Sequence, residues 1–137
     1  MRKVFEARMS AVMDSLPAIL EGVARAVVAE GLGPQKAGSA ELAVEEAVSN
    51  VCKYSGPADI ELVCLADDAL FAIEISDTGR PFDPTGRPDP DLTLGLEERP
   101  IGGLGVFLIK KVTDALSYER KGERNVLRLE FRKSGAA

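Results

Sequence analysis

The chain has 137 residues, 45% hydrophobic and 28% charged, a mix that suits one folded domain and is too apolar for disorder. Its net charge of −5 works against nucleic acid or an anionic membrane as a partner, and no apolar run nears the roughly 20 residues that span a bilayer. The absence of histidine excludes His-based triads, His metal clusters and a phosphohistidine.

In chain order, residues 2–8 suit a short first strand. The opening Met1-Arg2-Lys3-Val4-Phe5-Glu6 meets an acidic residue too soon for a signal peptide, so the expected compartment is the cytoplasm. Leu16, Ile19, Leu20, Val23, Val27 and Val28 recur at three- and four-residue spacing, which predicts a helix from about Asp14 to Glu30. Gly31-Leu32-Gly33-Pro34 stops it. A second helix is expected from about Gln35 or Ser39 to Lys53, with Leu42, Val44, Ala47, Val48 and Val51 as its apolar residues. Two alternating segments follow, Asp59–Ala66 and Ala69–Ser76, joined by Asp67-Asp68 as a β-hairpin. Cys52 and Cys64, each among apolar neighbours, suit reduced core thiols rather than a disulfide or metal site.

From Pro81 to Pro100 the chain holds five of its eight prolines, which rules out a core helix or central strand there. A helix from about Leu104 to Val112 is expected next, then strands at about Ala115–Arg120 and Val126–Arg132. In the last strand Leu127, Leu129 and Phe131 alternate with Arg128, Glu130 and Arg132, so one face is buried. The basic residues of this last third, Lys110 to Lys133, read as a solvated face rather than a binding patch. Helices and strands in this non-alternating order indicate an α+β two-layer sandwich: a mixed, mostly antiparallel sheet with helices on one face, forming one domain over residues 1–137.

Three segments carry chemistry. Glu46 and Asn50 stand one turn apart on the second helix, about 6 Å from each other and outside its apolar stripe. An Asn oxygen suits Mg, which takes few protein ligands, and a carboxylate one turn away could orient or deprotonate a hydroxyl. A solvated helix face ending in Asn is the plainer alternative. Asp77-Thr78-Gly79-Arg80-Pro81-Phe82-Asp83-Pro84 leaves a strand directly. Its Asp could accept from an exocyclic amine such as that of adenine, and Gly79 clears room for a flat ring; the same residue types also build ordinary turns. Gly102-Gly103-Leu104-Gly105 opens a helix, where free N–H groups bind phosphate, or else forms a flexible turn. No P-loop sequence occurs, and these glycines lack the spacing and the preceding strand of a dinucleotide fingerprint.

In this order and at these intervals, the three segments resemble the GHKL (Bergerat-fold) ATPases, and within them the small anti-sigma-factor serine/threonine-protein kinases. The resemblance covers nearly the whole chain. Glu46-Ala47-Val48-Ser49-Asn50 is similar to the family's N box, Asp77–Pro84 to its first glycine box and Gly102–Gly105 to its second. The stretch from Ser117 through Leu127 is similar to the last two strands. The resemblance implies that Glu46 is the general base and that Asn50 ligates Mg2+. Asp77 would hold the adenine amine, with Gly79 beneath the ring and Phe82 beside it. Gly102, Gly103, Leu104 and Gly105 would meet the ATP phosphates, and residues 85–101 would form an ATP lid. It implies as partners a sigma factor and a STAS-type antagonist phosphorylated on serine, and it suggests a homodimer. The alternative function is a non-catalytic ATP-sensing module of the same fold. Many relatives carry His shortly after the Asn, where this chain has Tyr54.

Overall fold

A computed structural model of the chain describes residues 1–10, 15–55, 59–86 and 104–133. Strand β1 (Arg2–Ser10) leads into helix α1 (Leu16–Ala29), whose row of Leu16, Ile19, Val23, Ala26 and Val27 is buried as the spacing demands. Asp14, the expected helix start, lies outside the described residues. The end of α1 is a Schellman turn: Leu32 N–H donates to the Val27 carbonyl (3.2 Å) and Gly31 N–H to that of Val28 (3.0 Å). Gly31 has φ of 91°, a conformation that glycine adopts without a Cβ penalty, and Leu32 beside it drops into the core.

Helix α2 (Pro34–Asn50) begins with proline in its first turn and buries Ala37, Ala40, Ala43, Val44, Ala47 and Val48. These mostly small residues let α2 sit close to its neighbours. The α-helix stops at Asn50, not at Lys53 as its pattern suggested, and Val51–Ser55 forms one wider π turn. Two contacts reach this turn from outside the helix. The Tyr54 carbonyl accepts from Arg80 Nε (2.8 Å), and the Tyr54 ring stacks on Phe82 with centroids 5.0 Å apart.

Strands β2 (Asp59–Ala66) and β3 (Leu70–Asp77) form the expected hairpin. Its turn is held by Asp67 Oδ1, which accepts from the N–H groups of Ala69 (2.9 Å) and Leu70 (2.8 Å) and lies below the usual carboxylate range for that reason. After a single 3-10 turn at Pro84–Gly86, helix α3 (Leu104–Val112), β4 (Ala115–Lys121) and β5 (Arg124–Arg132) complete the described chain.

The sheet order is β1-β2-β3-β5-β4, and all four pairings are antiparallel, the limiting case of the mostly antiparallel sheet expected. One face carries Ile60, Leu62, Cys64, Phe71, Ile73, Ile75, Leu127, Leu129 and Phe131 into a core shared with the helices. Burial in that core pushes the Cys64 thiol up to about 12, and neither cysteine forms a disulfide. The other face is laced by ion pairs: Arg124 with Glu61 (3.3 Å), and Arg128 with Glu74 (3.0 Å) and Glu130 (2.8 Å). These basic residues answer acids within the sheet. Among the described residues, no helix is long and apolar enough to cross a membrane.

Candidate functional site

The end of α2, the end of β3 and the inner side of β4–β5 meet around a small cleft. Its lining includes Ala47 and Asn50 from α2, Ile75 and Asp77 from β3, Phe82 and Pro84 from the loop, and Tyr118, Asn125 and Leu127 from the last two strands. A mostly apolar wall with a few polar groups aimed inward is what a small-molecule site requires. Three of those polar groups, Asn50 (8% exposed), Asp77 (2%) and Asn125 (4%), are the buried polar residues among those described.

Asp77 is brought there by register. Inward residues of β3 recur every second position through Ile73 and Ile75, so Asp77 continues the apolar row at the strand's end. Its Oδ1 accepts from Gly79 N–H (2.9 Å) and from Asn125 Nδ2 (3.0 Å). Among the described residues nothing donates to Oδ2. The backbone beyond is fixed from several sides: Arg120 Nη1 donates to the Gly79 carbonyl (2.8 Å), Asn125 Nδ2 to that of Arg80 (2.8 Å), and Phe82 N–H to Asn125 Oδ1 (3.2 Å).

Asn50 completes the last α-helical turn of α2, and among the described residues its buried Nδ2 has no hydrogen-bond partner. A buried amide left unpaired costs about 1–3 kcal/mol, so the group has bonding capacity that a ligand could satisfy. Glu46, one turn earlier, points toward the first turn of α3. A Cβ placed on Gly105 would lie 2.6 Å from Glu46 Oε2 and 3.7 Å from Asn50 Oδ1. The two side-chain oxygens therefore converge on the backbone of Gly105, and only a residue without a side chain allows that approach. Among the described residues no cluster of three or more His, Cys, Asp or Glu could hold a metal unaided. The donors do fit a cation that draws most of its ligands from phosphates and water.

Of the residues singled out in the sequence, Glu46, Asn50 and Gly105 thus share one corner, and Asp77, Gly79 and Phe82 share the adjoining wall. Gly102 and Gly103 lie outside the described residues, as does the expected lid beyond Gly86; Leu104 is described only as the first residue of α3. The sequence reading missed Asn125, Tyr118 and Arg120. A signal existed for the first: Asn125 continues the inward row of Leu127, Leu129 and Phe131, so a polar side chain stands at an apolar position.

Helices stacked on one face of an antiparallel sheet, with a mostly apolar cleft between helix α2 and the sheet's end, define an α+β two-layer sandwich. Residues 9–131 match the family described as histidine kinase-like ATPase domain, and the chain belongs to that family. It is 32% identical over 92 residues to the serine/threonine-protein kinase BtrW of Bordetella bronchiseptica. The match takes in 64% of this chain and 65% of that protein, so the chain spans a little under two thirds of this relative's length.

Proposed function

We propose that the cleft binds Mg-ATP and that the domain is a protein-serine kinase and anti-sigma factor acting on a serine of a STAS-type antagonist in the cytoplasm. The observation that carries the nucleotide reading is the convergence on one cleft of Asp77, whose two hydrogen bonds among the described residues both fall on Oδ1, and Asn50, whose Oδ1 faces the first turn of α3. Membership of an ATPase family supports it, and likeness to a protein named as a serine/threonine kinase supports the transfer chemistry.

In this reading Asp77 Oδ2 accepts from the adenine amine, with Gly79 clearing the approach of the ring and Phe82 forming the side wall. Asn50 Oδ1 holds the cation, which when bound neutralises phosphate charge. Gly105, with the glycines before it, lets backbone N–H groups approach the phosphates. Glu46 orients the substrate serine and takes its proton as the serine oxygen bonds to the γ-phosphorus. The bond from that phosphorus to the bridging oxygen breaks, and ADP leaves.

The test is incubation with labelled ATP and a co-encoded STAS protein, comparing Glu46→Gln. Label should appear on a serine and fall roughly a hundredfold or more in the variant, as for loss of a general base, while ATP affinity survives. ATP binding with no transfer to any candidate would leave a nucleotide-sensing binding module.

A further inference from the structure

Asn125 has no assigned part in the reading above, yet it is the most fully bonded side chain in the cleft. Its Nδ2 donates to Asp77 Oδ1 (3.0 Å) and to the Arg80 carbonyl (2.8 Å). Its Oδ1 accepts from Phe82 N–H (3.2 Å) and from the Tyr118 hydroxyl. A primary amide has two N–H donors and two acceptor lone pairs, and all four are used. The orientation is fixed by chemistry: turned over, the oxygen would face a carboxylate and a carbonyl, and the nitrogen would face an N–H.

We infer that Asn125 is a positioning residue that sets amine specificity at the base pocket through Asp77. This rests on the reading of the cleft as the ATP site. Having no bonding capacity to spare, Asn125 offers nothing to a ligand. What it does is hold one carboxylate oxygen of Asp77 from the β5 side while Gly79 N–H holds the same atom from the loop. Both fixed bonds fall on Oδ1, so Oδ2 is left to the ligand, as an acceptor with a set direction. An acceptor-only carboxylate selects an N–H donor and repels a carbonyl oxygen, which separates a 6-amino purine from a 6-oxo purine. The same Asn125 amide spans Arg80 and Phe82 as a neighbouring strand would, so the wall and the acceptor are positioned by one group.

The register makes this arrangement specific. Asp77 and Asn125 are direct cross-strand partners at the end of the β3–β5 ladder. Tyr118, two residues along β4 from Arg120, the cross-strand partner of Asn125, and so facing the same side, closes the far side of the amide.

Asn125→Asp is nearly isosteric. Its ionised form keeps the oxygen that Phe82 and Tyr118 use and removes both donors, so the titration is run at a pH high enough to ionise a carboxyl beside Asp77. Calorimetric titration would compare ATP with the purine ribonucleoside triphosphate that lacks the 6-amino group, for the wild type and the variant. The wild type should prefer ATP roughly tenfold or more, the range for a site left with an unpaired buried acceptor. In Asn125→Asp that preference should shrink to about threefold or less. Affinities for both nucleotides falling in parallel, with the ratio preserved, would overturn the inference and leave a purely structural role. Should the variant fail to fold, Tyr118→Phe decides: a reduced ratio supports the inference, and the wild-type ratio overturns it. A wild type that binds neither nucleotide would instead refute the ATP reading, a result distinct from an unchanged ratio.

Discussion

Gly105→Ala adds one methyl group where α3 begins, and its consequences for stability and for activity have opposite signs. The new Cβ would stand 2.6 Å from Glu46 Oε2, against the 3.4 Å at which ordinary contact begins, so the carboxylate must withdraw by about 0.8 Å. The obstacle is the far end of a flexible side chain, and Glu46 can move by changing rotamer. Gly105 is not among the glycines with positive φ, so alanine fits its backbone. The substitution also raises helix propensity, by at most ~1 kcal/mol in a helix interior and less in a first turn. The melting temperature should therefore hold or rise. The chemistry should not survive as well. A displacement approaching 1 Å in a group that must meet a reacting hydroxyl costs on the order of a hundredfold in rate. Single-turnover transfer of labelled phosphate to the protein substrate, beside a thermal melt, measures both. A transfer rate within about twofold of wild type, with the melt unchanged, would refute the claim that Glu46 acts from this position, since effects of roughly a hundredfold are expected.

Gly22→Ala should behave in the opposite way. Its Cβ would fall 2.4 Å from the Phe5 ring, which joins α1 to β1 and packs against the core, so overpacking should cost about 1–3 kcal/mol; an unchanged denaturant midpoint would contradict this. Glu30, at the end of α1, is lowered to about 2 from an ordinary value of 4.5, first by its hydrogen bond to Arg2 and next by that to Lys133. A depressed carboxylate contributes stability above its unfolded value and loses it as pH falls through the folded one. The advantage of wild type over Glu30→Gln should thus be complete above about pH 5, shrink as pH falls from 4.5 and vanish only below about 2, where melts of the two should coincide. A difference that stays constant across that range would exclude the ionised Glu30 as its source.

Much of the fold was legible because single rules were sufficient. The glycines before Leu104 and the 3.6-residue pattern after them placed α3 at its observed bounds, and strict alternation from Leu127 to Phe131 gave the buried face of β5. The π turn was not legible. Its contacts with Arg80 and Phe82 come from a segment remote in sequence, and local spacing carries no trace of them. The site divides along the same line. Glu46 and Asn50 share a helix face because they are one turn apart, and Asp77 ends a strand whose alternation aims it inward. That these two places face one cleft, and that Gly105 lies against Glu46, depends on how α2, α3 and the sheet pack. Asn125 was readable in part, as a polar residue on an apolar row. Its bonds to Asp77 and to the Arg80–Phe82 backbone follow from the β3–β5 register, which pairs residues far apart in the chain.

The central claim is that ATP occupies the cleft bounded by α2, the end of β3 and the β4–β5 strands. Amide NMR during titration with Mg-ATP tests it most directly, residue by residue. Saturable shifts should gather at Gly79, Phe82, Gly105 and Asn125, and leave Glu61, Glu74 and Arg128 on the opposite face of the sheet unmoved. No saturable shift, or shifts confined to that opposite face, would contradict the account.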